Sequence, residues 1–218
     1  RPSTTRGADA ASGALVKGGS LTAAIRDDPP TFNPYVGRTT NVVEVLTHLL
    51  HASLVRVDRR TGELTPALAE HWTASPDGLT WTLTLRKGVR FSDGVPFTSS
   101  DVVFAFEAVY DPRSVSPIGD SLLVAGRKIG VAAPDSATAV LTFPVRPAGG
   151  LQVLANLPIL PRHKLEAALR GGQLKDRWTV GAAPAEIVGL GPFRLSSYRA
   201  SEALELERNP SNWRRARQ

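Results

Sequence analysis

Residues 75–106 read SPDGLTWTLTLRKGVRFSDGVPFTSSDVVFAF, and their punctuation decides the local fold. Pro76-Asp77-Gly78 is a turn with a mechanism: Pro fixes φ, Asp bonds the backbone and Gly accepts a positive φ. Trp81, Leu83 and Leu85 then alternate with Thr80, Thr82 and Thr84. This period of two predicts a strand with one buried and one wet face. Ser92-Asp93-Gly94 is a second turn. Thr98-Ser99-Ser100-Asp101 fits a capping box, with Asp101 at the positive end of the helix dipole. The helix it opens runs to about Tyr110 and buries Val102, Phe106 and Val109. The stretch carries no His, no Cys and no paired carboxylates, so it reads as scaffold.

Working outward, Ser20 to Arg26 reads as a strand, followed by the proline-broken DDPPTFNPY. Thr39 or Thr40 caps a helix through about Leu50, with Val42, Val45, Leu46 and Leu49 at helical spacing. LVRVD is a short strand, RRTGE a turn at Gly62, and Pro66 to Trp72 a helical turn with Pro at its tolerated first position. Residues 126–145 read as a hairpin around Pro134-Asp135. Gly149 to Asn156 and Arg162 to Arg170 read as short helices. Gly189-Leu190-Gly191-Pro192 opens a strand through about Arg199, with ALELER as its partner. Trp72 and Trp81 fall in the scaffold pattern as core residues, whereas the polar surroundings of Trp178 and Trp213 do not place them. No solenoid repeat is present.

The 218 residues are 42% hydrophobic, enough for a core. No apolar run approaches the roughly 18 residues that cross a bilayer. The chain lacks Cys, which excludes disulfides and cysteine-ligated metals and suits an oxidising compartment. It also lacks Met, so it reads as processed or cut from something longer. Residues 1–17 have the composition of a flexible linker and resemble the spacer that follows a removed signal peptide. The net charge of +6 is not arranged as the basic, aromatic-interleaved stripe that nucleic acid requires. His48 and His51 are three apart on one helix and could hold a metal, but no third ligand follows from spacing. There is no G-x-S-x-G, P-loop or G-x-G-x-x-G.

The segments LTPALAEHWTASPDGLTWTLTLRKGVRFSDGVPFTSSDVVFAFEAV, VGLGPFRLSSY and ERNPSNW resemble, in order and wording, the N-terminal lobe of the oligopeptide, dipeptide and nickel solute-binding proteins of ABC importers. The resemblance runs from about Gly19 to Trp213. It implies an α+β fold, mainly antiparallel sheet with flanking helices, forming one lobe of a two-lobed periplasmic-binding-protein-like structure. Residues 18–50 plus 186–218 would form a base subdomain and 51–185 an inserted β-rich one, the second lobe being absent from this chain. The implied function is capture of a peptide-like or small polar solute outside the cytoplasm, with or without a lipid anchor on the parent protein, and delivery to the transmembrane subunits of an ABC permease. It implies no enzymatic chemistry, cofactor or metal.

Carried over segment by segment, the ligand-facing loop after Asn33-Pro34 points to Tyr35, Val36, Gly37, Arg38 and Thr39. The SPIGDS loop points to Ile118, Gly119 and Asp120, Ile118 standing where family members place an aromatic. Gly189 and Gly191 would permit close backbone approach at the cleft edge. Each has a plainer reading: a packed aromatic for Tyr35, a solvated charge for Arg38, a cap for Asp120 and backbone geometry for the glycines. A structural or protein-interaction domain that keeps the lobe fold without binding solute is the alternative from another class.

Overall fold

The computed structural model describes residues 18–36 and 41–214. The linker expected over residues 1–17 and the capping Thr39 or Thr40 lie outside that range. Helix α1 (Asn41–Leu50) leads into a small hairpin of β1 (Val55–Val57) and β2 (Leu64–Pro66). A four-stranded antiparallel sheet follows, built from β3 (Ala69–Ala74), β4 (Thr80–Leu85), β5 (Gly130–Asp135) and β6 (Thr138–Thr142) in the order β3-β4-β6-β5. Helices α2 (Ser99–Tyr110) and α3 (Pro117–Ser121) lie between β4 and β5, and α2 packs on β5 and β6. After α4 (Arg162–Arg170), the described chain closes with a hairpin of β7 (Phe193–Arg199) and β8 (Ala203–Arg208). The fold is α+β, with antiparallel sheets and flanking helices.

Register explains why the alternating strand sits where it does. Leu83 lies opposite Trp72 and Ala139, Trp81 opposite Ala74 and Leu141, and Leu85 opposite Ala69, so one face of the sheet is continuously apolar. Leu83, Leu85, Ala139 and Leu141 are buried, while Trp81 is half-buried with its indole N–H donating to Gly78 O at 3.1 Å. Asp77 Oδ1 accepts from Leu79 N at 2.9 Å, and Gly78 takes φ +72°, as the Pro-Asp-Gly turn requires. Trp81→Ala is expected to cost about 3 kcal/mol, the lower end for a buried aromatic because the ring is only half covered, and Thr82→Ala less than about 1 kcal/mol. Denaturant melts of the two variants check this; equal losses would mean that the wrong face is buried.

Asp101 holds two helices by one carboxylate. Its Oδ2 accepts from Thr98 N at 2.8 Å, closing the start of α2, and its Oδ1 accepts from Arg162 N at 3.0 Å, at the start of α4. Both contacts bring a negative charge to helix N-termini, where orphan N–H groups await partners. Burial raises the Asp101 pKa, against the lowering effect of those N–H donors.

Four local expectations are corrected. Ser20 to Arg26 is not a strand: it is exposed, Leu21 at 95%, and no sheet among the described residues runs beside it. Pro66 to Trp72 is not a helical turn, because β3 pairs with β4 through a bulge between Ala69 and His71, and tertiary pairing outweighs the Pro start signal. The hairpin turn falls at Ser136-Ala137, just past Pro134-Asp135, with Asp135 Oδ1 accepting from Ala137 N at 2.7 Å. SPIGDS is no open loop: Pro117 starts the short helix α3.

Candidate functional site

An open groove of about 1100 Å³ runs between the 30–36 loop, the end of α2, the 114–116 bend, α3 and the 174–179 segment. Long-range hydrogen bonds clamp its two sides. Thr31 Oγ1 donates to Trp178 O at 3.1 Å and Phe32 N to the same oxygen at 2.8 Å. Thr31 also bridges Thr179, and the buried Asn33 Nδ2 donates to Leu174 O at 2.9 Å. Opposite, Asp111 binds Arg113, whose Nη2 donates onward to Leu169 O at 3.1 Å. The Arg113 guanidinium holds the Asp111 carboxyl below the usual carboxylate range. Lys128 Nζ donates to Tyr110 O at 3.2 Å and lies 5.3 Å above that ring. Gly119 presses α3 onto α2 so closely that a Cβ would sit 2.2 Å from Val109 O.

Of the residues singled out from sequence, Val36, Gly119 and Asp120 meet on this groove. Ile118, next to them, is half-buried against the core. Gly37, Arg38 and Thr39 lie outside the described residues. The Tyr35 side chain faces inward: it is fully buried, and its hydroxyl donates to Pro158 O at 2.5 Å. Burial raises its pKa. Gly189 and Gly191 are buried against the end of α1, away from the groove. Gly191 N donates to Leu50 O at 2.9 Å, and a Cβ on Gly189 would lie 1.9 Å from that oxygen.

The two histidines do not converge. His48 is exposed on α1, whereas the His51 ring is buried and stacked on Trp178 at 5.8 Å and 7°. Neither His51 nitrogen has a hydrogen-bond partner, and burial lowers its pKa to about 3. Among the described residues no group of three or more His, Asp or Glu side chains is placed to hold a metal. Trp178 thus belongs to the core, while Trp213 lies half-buried under the guanidiniums of Arg86 and Arg214, at 4.9 and 4.7 Å.

Residues that sequence patterning missed include Thr31, Ser114, Lys128, Lys175 and Thr179. No local signal marks them, because the groove is assembled by the clamp between residues more than a hundred positions apart.

Residues 63–218 match the family model for bacterial extracellular solute-binding proteins, family 5, middle. The chain belongs to the family 5 extracellular solute-binding proteins. A probable ABC transporter-binding protein of Deinococcus radiodurans is 31% identical over 91% of this chain and 34% of its own length. The periplasmic oligopeptide-binding protein OppA of Haemophilus influenzae is 32% identical over 85% of this chain and 35% of its own. A crystal structure of that OppA in complex with RPPGFSPFR superposes with a TM-score of 0.69 at 30% identity, covering 86% of this chain and 37% of the other. The family 5 chain described here therefore spans about a third of the length of the curated relatives it matches. The same coverage makes its α+β fold that of one lobe of a periplasmic binding protein. No helix among the described residues is long and apolar enough to cross a membrane.

Proposed function

We propose that this chain is a solute-contacting lobe of an extracytoplasmic ABC-importer binding protein, and that the groove is its wall of the ligand cleft. The observation that carries this is the meeting of Val36, from the 30–36 loop, with Gly119 and Asp120 of α3, about eighty residues further on, on one open groove. The 32%-identical OppA is named as periplasmic and oligopeptide-binding, and the peptide complex of its fold supports a peptide-like or small polar solute. The adjacent Gly37, Arg38, Thr39 and Ile118 contact the solute as well. Gly189 and Gly191 act through backbone packing on the end of α1, away from that wall. The base (18–50 plus 186–218) and inserted (51–185) subdomains divide the labour: the base carries the 30–36 loop, and the insert supplies α2, α3 and the 174–178 segment that holds that loop. Handover would be to the transmembrane subunits of an ABC permease. The mechanism is closure of a second wall over the solute, with no covalent step.

One wall supplies about half of the burial that a small ligand needs, and it excludes little water. If a two-walled protein binds a peptide at about 1 μM, near −8 kcal/mol, the 218-residue chain is expected to bind at about millimolar or weaker. Isothermal titration of a peptide library into this chain, and into a version extended by a second lobe, tests it. Low-micromolar binding by the 218-residue chain would contradict the half-cleft reading.

A further inference from the structure

Ser20 to Arg26 has the alternation of a strand and none of its partners. Leu21, Ala23 and Ile25 alternate with Thr22, Ala24 and Arg26, the period of two that suits one apolar and one polar face of a sheet. Yet residues 18–28 are exposed throughout, Leu21 at 95% and Ile25 at 50%. The backbone of residues 18–27 makes no hydrogen bond among the described residues. Removing the apolar row from water would be favourable, and nothing in the single chain does so.

The root of this arm is fixed. Pro29 is buried, Asp28 Oδ2 accepts from Ser201 N at 2.8 Å, and the Phe32 ring packs edge-on against Tyr198 at 5.4 Å. From Phe32 back to Asp28 the chain therefore advances along β7 to the turn that follows it, and residues 18–27 continue from that tip into solvent. The same hairpin carries the counterpart. β7 and β8 form a two-stranded sheet, so the outer edge of β8 has no strand beside it among the described residues. Leu204 and Leu206, opposite Tyr198 and Leu195, lie on one face of β8, and Glu205 and Glu207 on the other. An arm added to that edge sets Leu21, Ala23 and Ile25 beside the two leucines and Arg26 beside the glutamate row. Arg26 takes part in none of the ion pairs among the described residues. Residues 20–26, at about 3.3 Å each, also match the length of β8.

We infer that two copies of this chain exchange their arms, residues 20–26 of each adding a strand to the outer edge of β8 of the other. One chain holds both halves of the contact, and its own arm leaves past the hairpin tip, so a second copy satisfies both at once. The exchange is reciprocal and closes as a two-fold dimer. Main-chain hydrogen bonds along the edge supply the affinity, and the alternating side chains set the register. The contact lies on the β7–β8 hairpin and does not depend on the groove being the solute wall.

Sedimentation velocity of the 218-residue chain, run from about 10 μM to about 1 mM because two exchanged strands make a small interface, is expected to show a reversible monomer–dimer equilibrium. Hydrogen exchange read by mass spectrometry should slow about tenfold at residues 20–26 and 203–208 together as the dimer forms. Ala23→Pro combined with Ala24→Pro removes an N–H from each side of the arm. That variant should stay monomeric over the whole range, while the dilute chain melts at the parent's temperature because the arm bonds to nothing within its own chain. Arg26→Glu sets like charges beside Glu205 and Glu207 and should weaken the dimer several-fold. A chain that stays monomeric up to about 1 mM, or a dimer that survives the paired prolines, overturns the exchange. Protection of both segments that does not change with concentration also overturns it, and would place the arm on its own β8.

Discussion

Gly189→Ala is expected to destabilise the chain by about 3 kcal/mol or more, although the residue belongs to a short Gly-Leu-Gly loop that looks dispensable. A Cβ there would stand 1.9 Å from Leu50 O and 2.8 Å from His51 Nδ1. Leu50 O cannot yield without moving the backbone at the end of α1, and overpacking costs about 1–3 kcal/mol or occasionally more. The loop is also pinned from its other side, since Ser92 N donates to Gly189 O at 2.9 Å and Gly189 N donates to Ser92 Oγ at 3.2 Å. Gly191→Ala should behave alike, with Leu49 O 2.3 Å from its added Cβ. Gly181→Ala is the control: its nearest neighbour would be 4.0 Å away, and its stability should change by less than about 0.5 kcal/mol. Urea melts of the three variants decide between a packing role and a ligand role. A Gly189→Ala protein as stable as its parent would restore the ligand role that the close approach to α1 argues against.

Stability should fall in acid because of His51. Its ring is buried against Trp178 with neither nitrogen bonded, and desolvation lowers its pKa from 6.5 to about 3. The neutral ring is thus favoured in the folded state, and the unfolded chain binds the proton first. The stabilisation is complete above pH 6.5 and declines as pH falls from 6.5 towards 3, by about 1.4 kcal/mol per unit. At pH 4.5 the loss is about 3 kcal/mol. His51→Phe keeps an aromatic partner for Trp178 and removes the proton site. The difference in unfolding free energy between variant and parent should therefore grow in the variant's favour by that amount between pH 7 and pH 4.5. A difference independent of pH would show that His51 takes up its proton as readily in the folded protein as in the unfolded chain.

The strand at 80–85 and the helix at 99–110 were legible because each is specified locally: alternating Thr with apolar residues, a Pro-Asp-Gly turn, a Thr-x-x-Asp cap. The stretch from Pro66 to Trp72 was misread because its strand character comes from the partner β4, not from its own residues. Tyr35 and the glycines at 189 and 191 illustrate a second limit. Sequence located the loops that bear them but not the direction each faces, and Tyr35 turns towards Pro158 O inside the core. The groove itself was half legible. Val36, Gly119 and Asp120 came from the family resemblance, while Lys175 and Thr179 are brought to them by the bonds of Thr31, Phe32 and Asn33 to the 174–178 segment. Such closures over long sequence separations leave no periodicity to read.

The central claim is that the groove between the 30–36 loop, α3 and the 174–179 segment is the face that meets solute. Amide NMR shift mapping of the 218-residue chain with a millimolar peptide mixture tests it most directly. Perturbations are expected at Val36, Ser114 to Asp120, Lys175 and Thr179, and not at the Arg86–Trp213 face. Shifts centred on Arg86 and Trp213, or none at the groove while a two-lobe version binds the same peptides, would contradict it.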